Sequence, residues 1–144
     1  MNISIIIDVL AKGDKDLTLD LLANLYCLFD SDDTYSSKYT EIVNELILYA
    51  LQENDAELKR EVFSTLAAAA NKLNIEQVEV TRLADNLGKL PDEQLQIAID
   101  LISATHNKDY IPLLCSYRHH TNNTVAFSAG VGLRAVHDRV SKNN

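Results

Sequence analysis

Four segments of the chain repeat one pattern, in which a polar residue is followed by apolar residues three, seven and usually eleven positions later. The segments are Asp14, Leu17, Leu21, Leu25; Asp55, Leu58, Val62, Leu66; Asp92, Leu95, Ile99, Ile102; and Asn122, Val125, Ala129, Leu133. A side-chain oxygen at the first position accepts free backbone N–H groups at a helix start. The apolar steps then form one face of a helix. The pattern therefore predicts four amphipathic helices, each with a polar N-cap.

The rest of the chain also has apolar residues at helical spacing, and only four glycines and two prolines interrupt it. We therefore predict an all-α protein. The eight expected helices lie at about 3–11, 14–29, 36–52, 55–73, 75–87, 91–105, 109–119 and 123–140. A chain of 144 residues suits a single core. We therefore expect residues 1–144 to form one all-helical domain.

The starts of the four patterned helices are separated by 41, 37 and 30 residues, roughly the length of a helical hairpin. The last hairpin, Asp109-Tyr110-Ile111-Pro112-Leu113-Leu114 followed by Asn122 to Val136, resembles a HEAT repeat, whose first helix often has a similar start. The resemblance implies four antiparallel hairpins in a short, right-handed, HEAT/armadillo-like solenoid. A compact helical bundle is the alternative, because the repeat length varies and the basic residue that HEAT units often carry occurs only as Lys59.

Negative charge is concentrated at the start of the chain. Residues 1–57 hold twelve carboxylates and three lysines, a net charge of −9, whereas residues 58–144 carry a net charge of +1. Such a field attracts cationic proteins and repels phosphate backbones. Solubility is the alternative role for this acidity.

Carboxylates lie on the second and third predicted helices and in the loop between them. Loops on a rigid scaffold are common binding positions, so we expect a cationic protein to bind here if the two helices are neighbours. The predicted partner-binding residues are Asp16, Asp20, Asp30, Asp32, Asp33, Glu41 and Glu45.

The stretch LLCSYRHHTNNTVA, residues 113–126, holds two adjacent histidines and one of the two cysteines. Adjacent helical positions diverge by about 100°, so His119 and His120 are poorly placed to share a metal ion. We predict that Arg118 and both histidines form the last turn of the seventh helix and that Asn122 caps the eighth. Catalysis by Cys115 with His119, four residues later, is the enzyme alternative. We expect no metal, no cofactor and no catalytic residue.

Cys27 and Cys115 lie within apolar patterns and are expected to be reduced, buried thiols of a cytoplasmic protein. The first residues, MNISIIIDVLAKGD, lack a basic leader, and no apolar run is long enough to span a membrane. The basic residues near the C-terminus are interrupted by Asp109 and Asp138 and have no aromatic platform. We therefore expect no membrane or nucleic-acid partner.

The last helix is apolar on two sides. Phe127 and Val131 lie off the stripe that begins at Val125, so we expect them to meet an earlier helix or a second subunit. A homodimer through this helix is the second interface that the sequence suggests.

A short, acidic chain without a catalytic motif is similar in type to the immunity proteins of bacterial contact-dependent growth inhibition systems. The resemblance implies a non-catalytic protein that binds and neutralises a basic nuclease toxin. The alternative is a scaffold or adaptor subunit of a larger protein complex.

Overall fold

The protein is all-helical, as the periodicity predicts. The structure is a computed structural model that describes residues 1–142, and these residues contain helices and no strand. The α-helices are α1 Ile3–Lys12, α2 Lys15–Asp30, α3 Thr40–Gln52, α4 Ala56–Lys72, α5 Thr81–Asp85, α6 Asp92–Ala104, α7 Ile111–Tyr117 and α8 Asn123–Lys142. Short 3₁₀ turns cover Leu87–Lys89 and Lys108–Tyr110.

The chain divides into two compact units, Met1–Glu79 (unit 1) and Val80–Asn144 (unit 2). Unit 1 has fifteen carboxylates and six basic residues, and unit 2 has six carboxylates and seven basic residues. Their net charges are therefore −9 and +1. The excess negative charge thus belongs to one structural unit. That residues 1–144 form a single domain stays a prediction.

Unit 1 is built around α4, which packs most extensively against α2 and also against α3, while α1 contacts both α2 and α3. The apolar stripes of these helices meet in a core that includes Leu25, Leu46, Val62 and Leu66, all fully or almost fully buried. Thr65 is also buried, and its hydroxyl donates to the Leu22 carbonyl across the α2–α4 contact at 3.3 Å. The second and fourth predicted helices are therefore direct neighbours.

Unit 2 is organised around α8, which packs on α6 and on α7, while α5 contacts α6. Ile99, Val125 and Val136 are fully buried in its core. The α6–α8 contact is close because small residues meet there. A Cβ atom added to Gly132 would lie 2.7 Å from Ser103 Cβ, so the space beside Gly132 is already filled.

Three of the four predicted N-caps are confirmed. The carboxylates of Asp14 and Asp55 accept the N–H groups of the third residues after them, at 3.1 and 3.0 Å. Asn122 Oδ1 accepts from the Val125 N–H at 3.1 Å in the same way. Asp92 is the exception, because Pro91 precedes the helix and Asp92 is already its first residue.

The apolar register of the four patterned helices is largely confirmed. Every patterned apolar residue is buried except Leu17, which is 38% exposed, and Leu133, which is half-buried. Leu17 lies in the first turn of α2. The periodicity therefore predicts correctly which face of each helix is buried. It is less accurate about how far along the helix that burial extends.

The predicted helices 36–52 and 75–87 are shorter in the structure. Residues 36–39 are not helical, and the Ser36 carbonyl accepts the Asn74 N–H at 3.0 Å. Within 75–87, only Thr81–Asp85 is α-helical, although Ile75, Val78 and Val80 are buried. The apolar residues of this segment are buried although the backbone that carries them is irregular. Their spacing therefore does not indicate a helix.

Candidate functional site

The seven predicted partner-binding carboxylates all lie in unit 1, in three groups. Asp16 and Asp20 are exposed on α2, and Glu41 and Glu45 are exposed and half-buried on α3. The third group follows α2, where the turn brings Asp30, Asp32 and Asp33 together. Helices α2 and α3 share α1 and α4 as packing partners. The loop group is the most compact of the three groups, because it spans only residues 30–33.

Asp32 has a structural task within the loop. Its Oδ1 accepts from both the hydroxyl and the backbone N–H of Thr34, each at 2.9 Å. These bonds, with that from the Thr34 hydroxyl the stronger, hold the pKa of the Asp32 carboxyl below its usual value. Asp30 and Asp33, which flank it, are exposed. The loop therefore offers two carboxylates whose charges face water.

Few cations of unit 1 neutralise these groups. Lys15 pairs with Asp55 and Glu57, at 3.0 Å to each, and the Lys38 ammonium lies 5.1 Å from the centre of the Tyr39 ring. Over residues 1–142, none of the seven predicted carboxylates takes part in an ion pair. Their negative field therefore remains available to a partner.

The Lys15 ion pairs belong to a network at the α3–α4 turn that the sequence pattern did not predict. Glu53 Oε1 accepts the N–H of Asp55 at 2.9 Å and the N–H of Asn54 at 3.0 Å. The bond from Asp55, followed by that from the Tyr49 hydroxyl, lowers the pKa of Glu53. Lys15 then joins this turn to the start of α2, across 40 positions of sequence. The network links the start of α2 to the start of α4.

The two adjacent histidines are in a helix corner, not in the last turn of a helix. Helix α7 ends at Tyr117, two residues earlier than predicted. His120 stacks on the Tyr117 ring with centroids 6.1 Å apart, and its Nδ1 accepts the Asn122 N–H at 3.0 Å. Among the described residues, no group of three His, Cys, Asp or Glu side chains is arranged to hold a metal ion.

Both cysteines are exposed, so the prediction of two buried thiols was wrong. Cys27 lies two residues after the fully buried Leu25, which turns it about 200° away from the core face of α2. Cys115 follows the buried Leu114 on a helix of only seven residues. Because α7 ends before His119, Cys115 and His119 do not share one helix face, which the enzyme alternative requires.

Asp92 and Asn122 meet although 30 positions separate them. The Asn122 side-chain amide donates to Asp92 Oδ2 at 3.2 Å, while its Oδ1 caps α8. The carboxylate predicted to cap α6 therefore orients the cap of α8 instead. Pattern reasoning missed this role because the partner lies on another helix.

Helix α8 has the two apolar sides that the sequence predicts. Val125, Ala129 and Val136 are fully buried, whereas Phe127 is 73% exposed and Val131 is 53% exposed. These two side chains line an open groove on unit 2 with Gly130, Arg118 and Arg134. That a partner covers them stays a prediction.

Asp100 is a half-buried carboxylate on α6. Burial raises its pKa, and a hydrogen bond from the Ser128 hydroxyl on α8 partly offsets this effect. A raised folded-state pKa means that proton binding favours the folded state. The resulting stability is present below the unfolded-state pKa and is lost as pH rises through the folded-state pKa.

We therefore expect Asp100→Asn to raise the melting temperature at about pH 7, where the native carboxylate is charged. Near pH 3 the gain should be much smaller, because Asp100 is then largely protonated. Thermal unfolding followed by circular dichroism at both pH values measures the difference. An equal gain at both values would mean that burial of the charge is not the cause.

Each helix within residues 1–142 is too short or too polar to traverse a bilayer. No family model, no curated protein and no solved structure matches the chain.

Proposed function

We propose that the chain is a non-catalytic protein-binding module that uses unit 1 to bind a cationic protein. The observation that carries this proposal is the net charge of −9 on unit 1, with the seven carboxylates outside any ion pair in the described part of the chain. A field of this kind raises the rate at which an oppositely charged partner arrives. The specific role we propose is that of an immunity protein for a basic nuclease toxin, in the cytoplasm.

The proposed scaffold is a HEAT-like pair of hairpins in each unit, with a compact helical bundle as the alternative. In unit 1, α1 packs on α3 and α2 packs on α4, as first and second helices of successive hairpins do in a solenoid. In unit 2, α6 packs on α8 and α7 packs on its hairpin partner α8. This arrangement supports the repeat proposal and offers helix-turn loops as a binding edge.

A scaffold or adaptor subunit is the second candidate function. The exposure of Phe127 and Val131 on unit 2 favours it, because an adaptor needs a second binding surface besides the carboxylates of unit 1. A gene that lies among those of a multi-subunit assembly would support this role. A gene directly beside one for a basic toxin domain would support the immunity role.

The decisive binding experiment uses Glu41→Lys with Glu45→Lys against the basic nuclease domain that the immunity proposal requires beside the gene. We expect affinity to fall roughly 30-fold or more, because a charge at a close interface pair costs about 2–5 kcal/mol when removed. The matched control is Asp85→Lys with Asp109→Lys in unit 2, which changes the net charge equally at exposed positions. Surface-based binding kinetics measure both, with circular dichroism to verify folding.

An equal loss in both double variants would indicate an effect of net charge and not of a local site. Absence of a gene for such a nuclease domain, or of any complex with its product, would end the immunity proposal. A complex that ignores the unit 1 substitutions would place the interface elsewhere.

The loop carboxylates should act mainly on association rate. We expect Asp30→Asn with Asp33→Asn to slow association several-fold and to change dissociation little, because charges at an interface rim steer the encounter. Asp32 is kept, since it holds Thr34 and changing it would disturb the loop. Stopped-flow association at two salt concentrations tests this. A slowing that persists unchanged at high salt would contradict electrostatic steering.

A further inference from the structure

The exposed side of α8 forms a continuous face on unit 2. Phe127, Val131, Arg134 and Asp138 recur at steps of four, three and four, which places them on one side of the helix. All four line the open groove on this unit. The groove extends from Ala126 to Asp138, about 18 Å along the helix. It is therefore long enough for about three turns of a second helix.

The groove is locally cationic in an acidic protein. Arg118 and Arg134 both line it, and over residues 1–142 neither guanidinium has a hydrogen bond or an ion pair. His137 lines it as well, and Asp138 is its only carboxylate among the lining residues. Two unpaired cations beside exposed Phe127 and Val131 favour a ligand with apolar and acidic groups.

Gly130 lies within this groove and has no packing role inside the chain. A Cβ atom added there would meet nothing within 4 Å, in contrast to Gly132, where it would overlap Ser103. A glycine inside an exposed helix lowers stability relative to alanine. Its missing side chain leaves room for close approach of another backbone. Packing on α6 thus explains the glycine at position 132, and the groove explains the glycine at position 130.

We propose that this groove binds an acidic amphipathic helix of a partner protein. Apolar side chains of that helix pack on Phe127 and Val131 above Gly130, and flanking carboxylates pair with Arg118 and Arg134. A second copy of α8 fits less well, because it would bring a lining with two arginines and one carboxylate against an identical lining. This groove on unit 2 takes an acidic ligand, whereas the carboxylates of unit 1 are proposed to bind a cationic protein.

The test is a selection of displayed 16-residue peptides on the full-length protein, with Phe127→Glu used for counter-selection. Peptides that bind the native protein and not the variant should be enriched in Asp and Glu, with apolar residues three and four apart. No Phe127-dependent peptide, or a set without acidic enrichment, would overturn the proposal. A dimer in light scattering that Phe127→Glu dissociates would assign the face to a second copy instead.

Point variants measured with the strongest selected peptide sharpen the result. Arg134→Glu should weaken binding about tenfold or more, whereas Lys108→Glu, the same charge change at an exposed residue outside the groove lining, should change it little. Gly130→Ala should raise the melting temperature and yet weaken binding several-fold. Equal effects of the two charge reversals, or unchanged binding by Gly130→Ala, would contradict the geometry.

Discussion

Replacing Phe29 with Ala is expected to lower the free energy of unfolding by about 3–5 kcal/mol. Phe29 is fully buried near the end of α2, and its ring lies 5.3 Å from that of Tyr39, measured between centroids. Removing it leaves a cavity and an unsupported Tyr39 at the start of α3. Because small domains are stable by only about 5–15 kcal/mol, the loss is a large fraction of the total.

The control for this prediction is Tyr26→Ala on the same helix. Tyr26 is 43% exposed, so its removal should cost much less than that of Phe29. Phe29→Leu fills part of the cavity and should give an intermediate value, which keeps the comparison useful if Phe29→Ala does not fold. Urea unfolding followed by circular dichroism measures all three. Equal losses for Tyr26→Ala and Phe29→Ala would contradict the packing described for α2.

The Phe29 variant also tests how the loop carboxylates are held. Asp30, Asp32 and Asp33 lie between Phe29 and Tyr39, so this aromatic pair fixes both ends of the segment that carries them. A folded Phe29→Leu protein should therefore associate more slowly with a cationic partner, although no charge has changed. Unchanged kinetics would mean that loop position does not matter for binding.

Gly132→Ala is expected to destabilise the protein by about 1–3 kcal/mol, although alanine is the better helix former. The new methyl group would overlap the side chain of Ser103, which is buried on α6 and donates to the Ile99 carbonyl at 2.8 Å. Neither helix can yield without opening the α6–α8 contact. The helix-propensity gain of about 1 kcal/mol offsets only part of this strain.

Gly130→Ala is the matched control, because it makes the same substitution two residues away in open space. It should stabilise the protein by about 0.5–1 kcal/mol. Adding Ser103→Gly to Gly132→Ala should recover part of the loss, since the overlapping atoms are then absent. Calorimetric unfolding of the four proteins forms the test. The same sign of effect at both glycines would contradict the close α6–α8 contact.

The helical class, three of the four caps and the core face of each patterned helix follow from the amino-acid sequence alone. These features depend on contacts within one turn, such as that of Asp14 with the Leu17 N–H, which spacing along the chain reports directly. The two-sided apolar pattern also placed Phe127 and Val131 off the core stripe, but both side chains are exposed and do not pack on an earlier helix. The sequence shows where the carboxylates lie along the chain. It does not show their local hydrogen bonds, such as those that Asp32 accepts from Thr34.

Which residues meet across helices depends on how the helices pack, and sequence spacing does not show it. Lys15 reaches Asp55, Asn122 reaches Asp92, and Ser103 fills the space beside Gly132, each over about 30 or more positions. Packing between helices also explains why Ile75 and Val78 are buried without being helical and why Cys115 is exposed. Periodicity describes one helix at a time, whereas burial depends on which neighbour covers a face, and that neighbour is chosen by long-range packing.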